Sequence, residues 1–265
     1  MAVKAGFRDH DPDWRPRGFT PGQWVSKYMT VRIRVIGSSP AWPNPGSAQS
    51  GYLVENGDGR LLLDCGPGVL GRLRESHTEV DAVAITHFHL DHCGDLVPWA
   101  WLAAYAPELQ DRRPELWLPP GGTEELERFS EFWGVPHMWE KAFSAHEYPE
   151  GDAFEAAGFR VEAIRVPHYL MQAYAFRVAE DSRTFAYSGD SAPSPELADT
   201  ARGADLFLCE ATLSHGGADA VPRGHLSAEE ALEAADGPIV LTHRPIELPP
   251  PDGVPLATDG LVLEL

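Results

Sequence analysis

Cysteine is scarce in this chain. Cys65, Cys93 and Cys209 lie in apolar or motif surroundings without disulfide spacing. That sets aside a stapled secreted scaffold and suits a reducing cytoplasm. Long apolar runs are missing too. No stretch reaches the roughly 18 residues a bilayer span needs, so no membrane partner is expected. The first residues, with Lys4, Arg8 and Asp9, lack the apolar centre of a signal peptide. Positive charge is also in short supply. With 21 Lys and Arg against 40 Asp and Glu, the formal charge is −19, which two divalent ions would only partly offset. Nucleic-acid affinity rests largely on cationic side chains meeting phosphates, so long RNA is disfavoured as a partner. Apolar residues make up 43% of the 265, enough for one large domain or two small ones. A homodimer is left open.

What the sequence does contain is concentrated in Thr86-His87-Phe88-His89-Leu90-Asp91-His92. The β-branched and small residues of Val80–Ile85 read as a buried strand leading into it. Asp95-Leu96-Val97-Pro98-Trp99 opens a helical pattern just beyond. In extended chain i and i+2 share a face, so His87 and His89 point into one site. Once the chain turns, Asp91 and His92 can face a second centre. Three imidazoles and a carboxylate so close together are a metal-ligand set for zinc or a similar borderline cation, with manganese and iron as alternatives. Packing has no use for such a density of ligands.

His-x-His-x-Asp-His after a strand resembles the signature of the metallo-β-lactamase fold. The resemblance implies three further ligands at strand ends. Their matching positions are His168 in Val166-Pro167-His168, Asp190 in Ser188-Gly189-Asp190, and His243 in Leu241-Thr242-His243. It covers about residues 30–265 and implies a four-layer αββα sandwich; periodicity alone shows only α/β. Within the family the chain looks most like the ribonuclease Z and cyclic-nucleotide phosphodiesterase branch. The residues that suggest it are Ser50-Gly51-Tyr52-Leu53-Val54, Leu63-Asp64-Cys65-Gly66-Pro67-Gly68, Leu208-Cys209-Glu210-Ala211-Thr212 and Gly224-His225-Leu226-Ser227.

Residues 1–29 stand apart as an N-terminal extension with isolated aromatics (Phe7, Trp14, Phe19, Trp24, Tyr28) and no periodicity. They read as a surface-wrapping tail, and Met29 could itself be a start. Beyond it strands alternate with loops and helices. Tyr52–Glu55 and Arg60–Asp64 form a hairpin across Asn56-Gly57-Asp58-Gly59. Helices are expected at 68–75, 96–106, 124–133, 196–201 and 228–235. Ser194 caps the fourth, with Pro195 at its first position. Ser227-Ala228-Glu229-Glu230 is a capping box for the last. Further strands are expected at 31–36, 116–118, 159–166, 172–178, 184–187, 205–210, 238–241 and 261–263. Trp99, Trp101 and Tyr105 read as helix core. Glu124, Glu125, Glu127 and Glu131 read as a solvated face, and His10, His77, His137, His146 and His215 as surface residues.

By resemblance, His87, His89 and His168 hold one ion, Asp91, His92 and His243 hold another, and Asp190 bridges them. Two ions roughly 3.5–4 Å apart can share a water and lower its pKa, giving a bridging hydroxide nucleophile, while screening charge that develops on phosphorus or carbonyl carbon. Asp64 either orients a ligand imidazole or caps its strand, and both readings stand. The catalytic set is Asp91, Glu210 and His225. In similar enzymes a histidine matching His225, steadied by a glutamate matching Glu210, helps protonate the leaving oxygen, which a phosphodiester needs.

One departure narrows the substrate. Ribonuclease Z enzymes that cut tRNA precursors carry a long Gly/Pro-rich arm between the ligands matching His168 and Asp190. Here only 21 residues separate the two, read as two strands with a tight turn at Glu180-Asp181-Ser182. The expected function is therefore hydrolysis of small, including cyclic, phosphodiesters. The alternatives are a lactonase or β-lactamase type of hydrolase, a ribonuclease Z-like endonuclease, and a non-catalytic binding module. Ser191-Ala192-Pro193 after Asp190, with no tyrosine, weakens the lactonase version. The complete ligand set argues against a mere binding module. An iron redox role is disfavoured because redox members usually place a carboxylate where His89 stands.

Overall fold

Period-two burial organises the N-terminal hairpin of β1 (Arg32–Gly37), β2 (Gly51–Glu55) and β3 (Arg60–Leu63). Alternate side chains of a strand face opposite sides. Tyr52, Val54, Leu61 and Leu63 enter the core between two sheets, while Leu53 and Leu62 enter a second core under helices. Strands buried on both faces read as unbroken apolar runs, which explains Leu61-Leu62-Leu63. A computed structural model describes residues 30–110 and 112–265. The N-terminal extension expected at 1–29 lies outside the described residues.

The remaining strands are β4 (Ala82–Ala84), β5 (Glu115–Leu118), β6 (Ser144–Glu147), β7 (Ala153–Ala156), β8 (Phe159–His168), β9 (Met171–Glu180), β10 (Arg183–Tyr187), β11 (Leu206–Glu210), β12 (Ile239–Thr242) and β13 (Val262–Glu264). Among the described residues they form one sheet in the order β13-β1-β2-β3-β4-β5-β6 and another in the order β12-β11-β10-β9-β8-β7. Phe159, Phe176, Phe185 and Tyr187 of the second sheet meet Tyr52 and Leu61 of the first.

Helices cover the outer faces. α1 (Val69–Glu75), α2 (Leu90–Cys93), α3 (Leu96–Tyr105), α4 (Gly122–Phe132) and α5 (Met138–Ala142) accompany the first sheet. α6 (Pro195–Ala201) and α7 (Ala228–Ala234) cover the second through Leu197, Ala201, Ala228 and Ala231. The result is the expected αββα sandwich. Ser194 accepts from Leu197 N at the start of α6, and the Ser227–Glu230 capping box is complete. Asp181-Ser182 closes a two-residue hairpin with Glu180 opposite Arg183.

Several expectations shift. β6, β7 and α5 carry too little periodicity to be read in advance; β6 is Ser-Ala-His-Glu, mostly exposed at a sheet edge. Of the three aromatics expected in the core of α3, Trp99 is buried, but Trp101 and Tyr105 are exposed. Trp101 instead meets Trp133 edge-on at the surface. His77, His137, His146 and His215 are exposed, as expected.

The topology sets up the site. β3 and β4 are parallel, as are β10, β11 and β12, and β8 regains their direction through two antiparallel steps. Asp64, the His87–His92 loop, His168, Asp190, Glu210 and His243 therefore all emerge along one rim.

Candidate metal centre and substrate cleft

Two polar clusters meet at that rim. In one, ligand-type atoms of His87, His89, His168 and Asp190 lie within 4.8 Å of one another; in the other, those of Asp91, His92, Asp190 and His243 do. Asp190 belongs to both. Its Oδ2 is 3.3 Å from His92 Nε2 and 3.8 Å from His168 Nε2. All seven side chains expected as ligands are thus brought together, in the two groups expected.

The ring nitrogens are sorted by what holds their other face. Thr86 Oγ1 donates to Asp64 and so accepts from His87 Nδ1 at 3.0 Å. Gly224 O accepts from His168 Nδ1 at 2.7 Å. Asp64 Oδ2 accepts from His92 Nδ1 at 2.7 Å. Thr212 Oγ1, which donates to Glu210, accepts from His243 Nδ1 at 2.9 Å. In each ring the proton sits on Nδ1, and the Nε2 lone pair faces the centre. His89 turns its Nδ1 inward, 3.1 Å from His87 Nε2 and 2.9 Å from His168 Nε2. Lone pairs converging this closely, each ring held from its other face, suit a cation's coordination shell.

Two buried atoms test the fit. His92 Nε2 and Asp190 Oδ1 have no hydrogen-bond partner, although both residues are almost fully buried. An unsatisfied buried polar atom is costly, and a divalent ion at the meeting point would satisfy both. The electrostatics agree. Burial would strip a proton from His92, yet Asp190, Asp64 and Asp91 reverse this and raise its affinity for positive charge. Burial opposes charge on Asp91 as well, but His92 and His243 hold its carboxyl far below the usual range. Where the imidazoles crowd one another, burial and neighbouring rings lower the pKa of His87.

Backbone strain marks the same places. Asp64 (φ 60), Tyr169 (φ 49) and His243 (φ 53) occupy the left-handed region without being glycine. Such conformations cost about 1–3 kcal/mol each and persist where surrounding contacts hold them. Gly66 lets two loops touch: a Cβ there would lie 2.0 Å from Asp91 O. Asp64 takes the orienting role. Besides His92, it accepts from Thr86 N, Thr86 Oγ1 and Tyr187 OH.

Glu210 and His225 form a second unit beside the clusters. Glu210 Oε1 accepts from His225 Nδ1 at 2.9 Å and from Ser191 N, while Oε2 accepts from Thr212 N and Thr212 Oγ1. Both carboxylate oxygens are saturated, so Glu210 has little left for an ion, although Glu210, His225 and His243 are also close together. Burial pushes the His225 pKa down, but Glu210, Asp190 and Asp219 outweigh it and lift it to about 9. Asp219 Oδ2 also accepts from Gly224 N and His225 N, and Asp219 Oδ1 from Tyr169 OH. Sequence reasoning assigned no role to Thr212, Tyr169 or Asp219, although Thr212 ends the recognised Leu208–Thr212 motif and Tyr169 directly follows His168.

A cleft of about 810 Å³ opens over the centre, with His89, Asp91, Asp190, His225, Trp42 and Tyr169 in its wall. Ser214 and Ala218 line it, but His215 does not.

The sequence profile of the β-lactamase superfamily domain matches residues 59–239. The uncharacterized protein ML1173 of Mycobacterium leprae is 32% identical over 234 residues, covering 85% of this chain and 81% of that protein. The probable metallo-hydrolase YhfI of Bacillus subtilis is 29% identical over 222 residues, covering 81% and 87%. The YhfI crystal structure superposes with a TM-score of 0.76 at 24% identity, covering 89% of this chain and 99% of YhfI. Human tRNase Z, short form, gives 0.68 at 23% identity, covering 88% and 98%. A diphosphatase from the PhnP family gives 0.68 at 20%, covering 89% and 98%. No helix among the described residues is long and apolar enough to cross a membrane. The family implies a bound divalent metal, for which the two clusters are the candidate sites. This chain belongs to the β-lactamase superfamily, as a hydrolase with the metallo-β-lactamase fold.

Proposed function

We propose that the chain is a dinuclear metal-dependent phosphodiesterase of small, including cyclic, phosphodiesters. The observation that carries the reading is the Glu210–His225 pair, held at 2.9 Å beside two ligand clusters that share Asp190. Two divalent ions, with zinc favoured by the nitrogen-rich donor set, would supply an activated water and screen charge on the phosphoryl oxygens.

The chain's own residues do the rest. His87, His89 and His168 would hold one ion and Asp91, His92 and His243 the other, with Asp190 shared between the two clusters. Asp64 and Thr212 fix the imidazoles of His92 and His243 from behind, so their lone pairs need no reorientation. Asp91 both closes its cluster, 3.0 Å from His243 Nε2, and faces the cleft. His225 holds a proton in the cleft wall and passes it to the leaving oxygen as the P–O bond breaks. Glu210 keeps the ring in place through Nδ1 and stabilises its charge.

The acid suits the strongly basic alkoxide that leaves an unactivated phosphodiester, which supports the diester reading. The short hairpin from β9 to β10 and the acidic surface support small substrates over tRNA precursors. Three free, buried thiols suit a reducing cytoplasm. The test is turnover by zinc-loaded protein of an aryl phosphodiester and a cyclic nucleotide beside a panel of lactones and a β-lactam. Diester hydrolysis with inert lactones supports the reading; lactone opening with inert diesters overturns it.

A further inference from the structure

The charge of the cleft wall narrows the substrate further, on the footing of the phosphodiesterase reading above. Beyond the ligand clusters and His225, the wall carries two more carboxylates, Asp219 and Glu247, and among the described residues no Lys or Arg. Asp219 stays ionised. Burial raises its pKa, but the donors Gly224 N, His225 N and Tyr169 OH outweigh that and lower it. The nearby arginines do not line the cleft, although Arg223 Nε lies 4.0 Å from Asp219 Oδ2 and partly offsets its charge. Arg223 grips Glu230 with both terminal nitrogens at 2.8 Å, and Arg244 donates to Ala211 O and Pro249 O.

The wall also offers an apolar face. Trp42, in its wall, is about half exposed. Leu90, Leu170, Val221 and Ile246 are largely exposed, and each adjoins a wall residue in sequence: His89, Tyr169, Ala220 and Pro245.

We infer that the cleft accepts diesters whose only negative charge is the scissile phosphate, with a flat apolar remainder such as a nucleobase against Trp42, and turns away substrates bearing a second phosphate. The scissile group brings one charge, which the ions neutralise. A phosphate monoester elsewhere on the substrate brings nearly two more at neutral pH. It would leave water to face Asp219 and Glu247, and among the described residues no Lys or Arg lines the cleft to receive it. An indole at the mouth offers a stacking face to any base.

The test uses the full chain loaded with zinc and two matched substrates: adenosine 2′,3′-cyclic phosphate and the same molecule carrying a 5′-phosphate. Scissile group and base are identical. The unphosphorylated compound should show kcat/KM at least about tenfold higher, a gap of about 1.4 kcal/mol, mainly through KM. Added salt should narrow the gap, because screening weakens the repulsion. Glu247→Lys should narrow it too, by improving the phosphorylated substrate. Trp42→Ala should raise KM for both and leave their ratio unchanged. Equal kcat/KM for the pair in wild type overturns the inference, as does a ratio insensitive to both salt and Glu247→Lys. Turnover of aryl diesters with both nucleotides inert also overturns it while leaving the phosphodiesterase reading intact. If no phosphodiester of any kind is cleaved, the parent reading falls and takes this inference with it.

Discussion

Glu210 Oε1 lies 2.9 Å from His225 Nδ1, at the bottom of a carboxylate that has no acceptor site to spare. The contact does two things. It locks the imidazole against the cleft wall, and it raises the proton affinity of a ring that burial alone would keep neutral. An acid held beside the two ligand-type clusters matters only if the leaving group needs a proton.

That need can be varied. An alkoxide leaving from phosphorus is strongly basic, whereas a nitrophenolate departs unaided. His225→Ala should slow an alkyl phosphodiester by roughly 10²–10⁴-fold, the usual range for general acid catalysis, and a nitrophenyl diester far less. Metal content should not change. Glu210→Gln should show the same selectivity in weaker form. Equal loss on both substrates would mean that His225 binds phosphate rather than donating a proton.

The same pair predicts a pH limb. The His225 proton is present below its pKa, about 9 before bound cations push it lower, and is lost as pH rises through it. Alkyl diester turnover should therefore fall on the alkaline side, at or below about pH 9. Nitrophenyl diester turnover should stay flatter there, and His225→Ala should remove the difference. A rate–pH profile of the two substrates, with wild type and variant side by side, decides it.

Asp190 is the one residue shared by both clusters. Asp190→Ala should cost at least one ion per chain and nearly all turnover, while the fold, with its apolar cores intact, persists by circular dichroism. Full metal content in the variant would show that Asp190 does not bridge.

Asp64 receives four donors inside the protein: Thr86 N, Thr86 Oγ1, His92 Nδ1 and Tyr187 OH. Asp64→Ala should weaken metal affinity by roughly 10–100-fold, the usual cost of losing such an outer partner. It should also destabilise the fold by at least about 1–3 kcal/mol, because buried donors lose their acceptor. Metal titration and thermal unfolding of the variant check the two effects separately.

Long tRNA precursors should be poor substrates. The span between His168 and Asp190 is taken up by β9, a two-residue turn and β10, and the formal net charge of the chain is −19. Cleavage of a tRNA precursor as fast as a small cyclic phosphodiester would contradict this.

The His87–His92 cluster was legible because it follows an apolar run, where a sheet delivers polar side chains to one rim, whereas His168, Asp190 and His243 were reached only through the resemblance to the metallo-β-lactamase fold. The capping residues Ser194 and Ser227 were legible because capping is local chemistry. Asp64 was undecided between two roles because its partners Thr86, His92 and Tyr187 come from three separate elements. Thr212 was missed for the same reason: its bond to His243 spans 31 residues. Tyr169 and Asp219 are 50 residues apart and meet only through the fold. Trp101 and Tyr105 read as core because helical spacing shows which residues share a face. It does not show whether anything packs over that face. β6, polar and on an edge, carried no pattern to read.

The central claim is a two-ion phosphodiesterase site, and stoichiometric reconstitution tests it most directly. Metal-free protein is titrated with zinc while hydrolysis of a cyclic phosphodiester is followed. The account predicts that activity rises with added zinc and levels off at two ions per chain. A plateau at one ion per chain, or hydrolysis that zinc does not change, would contradict it.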